Sequence, residues 1–108
     1  MPGIAEANVV DLVAQDATGR YLLIMVEWRA WGAETAQASQ LKEKFNAYVG
    51  FILDGSLARQ YPGTAGQPVD IQLDCCEAPS GEFAIIVEHT ATQLQRLGIG
   101  FRVRVTGS

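Results

Sequence analysis

Seven consecutive residues, Val69–Cys75, alternate without exception: Val69, Ile71, Leu73 and Cys75 are apolar, and Asp70, Gln72 and Asp74 are polar. Successive side chains of an extended chain point to opposite faces, so this run predicts a strand with one face on a core and one in water. The same period returns at residues 99–105, with Ile99, Phe101, Val103 and Val105 inward and Arg102 and Arg104 outward. The stretch between the two runs holds a helix with short connections. That predicts two parallel neighbours joined by a crossover of the usual right hand.

The intervening pattern is helical. After Pro79 and Ser80, a candidate N-cap, the residues Phe83, Ile86, Val87, Thr90, Leu94 and Leu97 recur at three- and four-residue steps until Gly98. A longer helical pattern fills residues 33–55. Its stripe is Leu41, Phe45, Tyr48, Val49 and Ile52, and Gly55 stands where a C-cap glycine belongs. Gly50, opposite the stripe, weakens that helix by about 1 kcal/mol relative to Ala. Phe45 is expected beneath it, against Leu23 and Ile71. Residues 61–68 (YPGTAGQP) read as a loop.

Upstream, residues 8–15 (NVVDLVAQ) and 20–28 (RYLLIMVEW) flank Asp16-Ala17-Thr18-Gly19 and predict a hairpin. A four-residue turn pairs Gln15 with Arg20, Val13 with Leu22, Asp11 with Ile24 and Val9 with Val26. The other face then pairs Ala14 with Tyr21, Leu12 with Leu23 and Val10 with Met25. The predicted fold is α+β: a two-layer sandwich in the order β-β-α-β-α-β, with a four-stranded mixed sheet and both helices on one face, as one domain over residues 1–108. On this register both hairpin faces are apolar, and the helices cover one. Val9, Val13, Leu22, Ile24 and Val26 are left as an exposed patch, unusual on a monomer. A homodimer packed through that face is the expected assembly.

Composition narrows the function classes. The 108 residues carry 8 Lys+Arg against 12 Asp+Glu, a formal net charge of −4. The basic residues Arg20, Arg29, Lys42, Lys44, Arg59, Arg96, Arg102 and Arg104 are scattered, so no basic face marks a nucleic-acid binder. The first sixteen residues lack a basic segment followed by an apolar one, and the longest apolar run, residues 21–26, is too short to span a bilayer. These readings predict a cytoplasmic protein without a membrane partner. Cys75 and Cys76 are adjacent, so a bond between them would close a strained ring and staple nothing. They read as reduced thiols, with no C-x-x-C spacing.

Candidate chemistry is sparse. His89 is the only histidine and falls on the flank of the second helix, beside Ile85, Gln93 and Arg96, without an orienting carboxylate. A dyad of His89 with Cys76 lacks a cation to lower the thiol pKa. Asp70 and Asp74 share a strand face, which cross-strand pairing with Arg102 and Arg104 explains. Gly63-Thr64-Ala65-Gly66 runs into Pro68 and a strand rather than a helix, so it reads as a turn, not an anion cradle. Trp28, Trp31, Tyr48, Phe51 and Tyr61 cluster in sequence around the first helix. They read as packing, or as a small-molecule pocket with Trp31, Asn46, Tyr48 and Tyr61 as its ligand contacts, Asn46 and Tyr61 being the polar ones. No catalytic residue, metal site or cofactor is predicted.

The segment LKEKFNAYVGFI from Leu41 to Ile52, with Tyr61-Pro62 downstream and Val9-Val10-Asp11 and Thr18-Gly19 upstream, resembles an uncharacterised bacterial family of small stand-alone proteins known only as a domain of unknown function. That resemblance implies no activity. The expected function is a non-catalytic interaction or binding protein acting as a homodimer, with a possible unidentified protein or small-molecule partner. The alternatives are a small-molecule-binding domain or small enzyme using the aromatic region, and an antitoxin or immunity-type partner, compatible with the acidic pI of about 4.8.

Overall fold

The structure, a computed structural model, describes residues 3–5 and 10–106. Strand β1 (Leu12–Gln15) turns back into β2 (Tyr21–Glu27). Helix α1 (Gln37–Leu53), a short helix α2 (Ser56–Gln60) and a 3-10 turn (Pro62–Thr64) lead to β3 (Val69–Cys75). Helix α3 (Gly81–Arg96) then leads to β4 (Gly100–Val105). Among the described residues the strands form one sheet in the order β1-β2-β3-β4. The hairpin pair is antiparallel, and β2–β3 and β3–β4 are parallel. This is the predicted α+β arrangement, with α2 added at Ser56–Gln60, where no element was expected, and the 3-10 turn inside the expected loop.

The core lies between the sheet and the two long helices. Leu23, Met25, Ile71 and Leu73 rise from the sheet to meet Leu41, Phe45 and Tyr48 of α1 and Phe83, Ile86 and Leu94 of α3. Phe45 is buried as its helical phase predicts, and its ring meets Phe101 edge-on at 5.5 Å. Helix α1 begins at Gln37 rather than in the alanine-rich segment before it. No side chain caps that end, and its first helical bond is donated by Gln40 N–H to the Ala36 carbonyl. Helix α3 ends on Gly98 in the left-handed region (φ 75°). Ile99 N–H donates to Leu94 O and Gly98 N–H to Gln95 O, the paired bonds that close a helix on glycine.

The hairpin departs from its predicted register by one residue. Asp16 N–H donates to Arg20 O at 2.9 Å and Gly19 N–H to Asp16 O at 3.0 Å, so the loop is Ala17, Thr18 and Gly19, with Gly19 at φ 90°. A three-residue loop closed by a left-handed glycine is a common hairpin connection. The Asp16 carboxylate holds it, accepting from the Thr18 and Arg20 backbone N–H groups and from the Thr18 hydroxyl. The pairs are therefore Gln15–Tyr21, Ala14–Leu22, Val13–Leu23 and Leu12–Ile24.

A one-residue shift exchanges the faces of β1. Val13, expected outside, packs against the core, and Asp11 turns inward with it. The outer face instead carries Leu12, Ala14, Leu22, Ile24 and Val26. Of these Leu22 and Ile24 are only 7% and 6% exposed, Val26 is half-buried, and Leu12 at 52% is the open one. Val9 lies outside the described residues. The five-residue exposed patch predicted for a dimer interface is thus not the surface this fold presents.

Candidate functional site

Parallel strands with crossovers in the same direction set α1 and α3 side by side, and a groove of about 720 Å³ runs between them on the side away from the sheet. Helix α1 contributes Lys42, Phe45, Asn46 and Val49, spaced to share one face. Helix α3 contributes Ile85, Ile86, His89, Thr90, Gln93, Leu94 and Arg96, and its C-cap residue Leu97 follows. Phe45, Ile86, Thr90 and Leu94 are buried and form the floor. Ile85 and Leu97 stand on the rim at 68% and 48% exposure. The polar groups are two cations, Lys42 and Arg96, with His89, Asn46, Gln93 and Thr90, and no acidic side chain lines the groove. It can take an elongated apolar body and offer cations and neutral hydrogen-bonding groups beside it. His89 faces it without a carboxylate to orient the ring, which suits a contact rather than a general base.

The outer face of the sheet carries a different kind of polar cluster, closed on itself. Asp70 receives Arg20 Nε at 3.0 Å and an Arg20 terminal nitrogen at 2.6 Å. Arg102 lies 3.7 Å from the same carboxylate and 3.5 Å from Asp16. Arg104 donates to Asp74 at 2.8 Å, and Gln72 donates to the other Asp74 oxygen at 2.7 Å. The predicted pairing of Asp70 and Asp74 with Arg102 and Arg104 is present, and Arg20, just before β2, joins it as the closest partner of Asp70. The Arg20 guanidinium holds the Asp70 carboxyl below the ordinary carboxylate value, against the opposing effect of burial. These side chains satisfy one another and leave nothing aimed outward for chemistry.

Two further polar groups are interior. The Lys44 ammonium reaches across from α1 to the Asp11 carboxylate. The other Asp11 oxygen accepts from Val26 N–H at 2.9 Å. Tyr48 donates to Ile24 O at 3.0 Å and accepts from Asp11 N–H, and burial raises its phenol pKa. At the far end of β2, buried Glu27 accepts from Arg29 through both carboxylate oxygens and from Gln37 Nε2 at 3.0 Å. These contacts pin the β2–α1 connection.

The four predicted ligand contacts do not converge. Asn46 alone lines the groove. Tyr48 is wholly buried beneath α1. Trp31 donates from its indole nitrogen to Glu77 O at 2.8 Å and lies 5.0 Å from the Phe83 ring, which clamps the β3–α3 loop. Tyr61 stands exposed at the end of α2. The aromatic side chains that flank α1 are spread over these separate places rather than gathered round one cavity. The segment from Gly63 to Gly66 begins inside the 3-10 turn Pro62–Thr64, where the Thr64 hydroxyl donates to Tyr61 O. Burial pushes the Cys75 thiol up to about 11, which suppresses the thiolate, and Cys76 donates to Trp28 O at 3.2 Å. Both cysteines sit at the end of β3, and His89 belongs to the helix layer. Among the described residues no group of three or more His, Cys, Asp or Glu is placed to hold a metal ion. No helix among them is long and apolar enough to cross a membrane.

The groove was missed because each helix, read alone, showed only its core stripe. A signal was present: Ile85, His89, Arg96 and Leu97 lie on one flank of α3, and Lys42, Asn46 and Val49 on one flank of α1. Only the side-by-side placement of the helices turns two flanks into one surface.

Residues 2–107 match the family of unknown function DUF6572, and the chain belongs to that family. No curated protein and no solved structure matches it.

Proposed function

We propose that this chain, from a family to which no activity is attached, is a non-catalytic binding protein whose binding surface is the groove between α1 and α3. The observation that supports this reading is the rim of that groove. Ile85 and Leu97 are large aliphatic side chains held in water beside a buried apolar floor, and burying each gains about 1.5–3 kcal/mol. The charged clusters elsewhere are paired internally and the Cys75 thiol is buried, so neither competes as a site. The cytoplasm is the location that accords with two free cysteines.

A thermal-shift screen against metabolites and peptides, with each stabilising hit mapped by amide chemical shifts, tests the reading. A ligand at 100 times its Kd stabilises by roughly 2.7 kcal/mol, enough to read as a rise in Tm. Shifts centred on Ile85, His89 and Leu97 are the expected result. Hits that map to Trp31 and Tyr61, or turnover of a bound compound, would replace it. His89→Ala and Cys76→Ser are expected to fold normally, with only the first changing ligand affinity.

A further inference from the structure

Of the eight lysines and arginines, Arg20, Arg29, Lys44, Arg102 and Arg104 sit in ion pairs, and Arg59 donates to the Ser56 hydroxyl. The two that remain are Lys42 and Arg96. Among the described residues neither makes a hydrogen bond or ion pair, and both line the groove, one on each helix. Among the described residues the cations are thus engaged internally except along the two sides of this apolar groove.

We infer that the occupant of this groove is an acidic amphipathic helix of a partner protein, with its apolar stripe on Phe45, Ile86 and Leu94 and its carboxylates facing Lys42 and Arg96. The inference rests on the groove being the binding surface and names what it binds. Length argues for a helix. Ile85 and the C-cap residue Leu97 are twelve positions apart along α3 and its end, a span of about 18 Å at roughly 1.5 Å per residue. Covering both takes about three turns of a laid-in helix, which is how apolar grooves between helices are commonly filled. Charge argues for the sign. A stripe flanked by Asp or Glu meets a cation on either side, and a basic helix meets two like charges. Charge also argues against a second copy, whose own groove would bring cations to cations.

The test is a phage-displayed library of helical peptides about 18 residues long, randomised on all faces and selected against the full-length chain, with a K42E/R96E variant selected in parallel. Both substituted positions are exposed, so the variant is expected to melt with the parent. The expected result is enrichment of peptides with apolar residues at three- and four-residue spacing flanked by Asp or Glu. A synthetic copy of the best peptide should bind the K42E/R96E variant at least about tenfold more weakly and lose affinity as salt is raised. Its amide-shift footprint should fall on Ile85, His89 and Leu97. Enrichment of basic or neutral stripes, or equal affinity for parent and variant, overturns the charge assignment. No helical enrichment, with dodecanoate below its micelle concentration perturbing the same amides, overturns the helical partner and leaves the groove as the binding surface. Footprints outside the groove for every probe overturn both.

Discussion

The Lys44 ammonium lies 2.8 Å from the Asp11 carboxylate, and the two side chains are 0% and 3% exposed. Breaking such a pair from one side strands the other charge in the interior. Lys44→Met is therefore expected to lose about 3–5 kcal/mol, far more than its change in packing would give. Denaturant melts of Lys44→Met, Asp11→Asn and the double variant check it. The double variant should recover part of the loss, because neither half of the pair is then left charged without the other. Additive losses would mean that the two groups act independently.

Asp70 makes stability depend on acid. Its folded pKa is held below the ordinary 3.8, chiefly by its hydrogen bonds from Arg20. A depressed carboxyl pKa adds stability above the unfolded value and loses it as pH falls through the folded one. The expected outcome is a Tm that drops below about pH 4 in the parent and drops less steeply in Asp70→Asn. Because Arg20 is partly exposed, the effect should also shrink in high salt. Parallel pH profiles for the two proteins would show that other carboxylates set the acid limb.

Gly100 opens β4 directly beside that carboxylate. A Cβ there would run into the Asp70 side chain, whose Oδ1 accepts from Gly100 N–H at 3.2 Å. Gly100→Ala is expected to destabilise by about 1–3 kcal/mol, as overpacking does. Adding Asp70→Ser to Gly100→Ala should relieve the clash, so the double variant should be less destabilised than the sum of the singles. A Gly100→Ala protein as stable as the parent would mean that the Asp70–Arg20 pair moves aside freely.

Assembly is decided by light scattering. Leu22 and Ile24 are already shielded, so the open aliphatic surface on the hairpin's outer face reduces to Leu12 and its margins. A monomer mass at tens of micromolar is the expected result. A dimer that Leu12→Asp converts to monomer would restore that face as an interface between copies.

Much of this was legible before the fold was known. The alternation of Val69–Cys75 placed β3 correctly, although its polar face is buried rather than in water, and the stripe of Leu41, Phe45 and Tyr48 placed the buried face of α1. The hairpin register was not legible, because its strands are apolar at nearly every position and the pattern prefers no pairing. Loop length decides there, and Asp16 decides loop length through hydrogen bonds that a sequence does not display. Lys44 was readable in principle: it sits one position before Phe45, inside the stripe, where a charge calls for a buried partner. Finding Asp11 required the register first. The groove is a relation between two helices and has no expression in either alone.

Asp11 also settles a choice that the hairpin's apolar faces leave open. Its backbone would form the next rung beyond Leu12–Ile24, yet its carboxylate rather than a strand carbonyl receives Val26 N–H. Sliding β1 by one residue would carry that carboxylate to the outer face, away from the Lys44 ammonium. A slipped hairpin with equal greasy contact would then lose the buried Lys44–Asp11 pair, a penalty of several kcal/mol. The ion pair thus acts as a keyed fit, rejecting misaligned hairpins that hydrophobicity alone would accept. A chain that loses it should populate more than one hairpin alignment, seen as doubled amide resonances along β1, even where its melting curve is only modestly lowered.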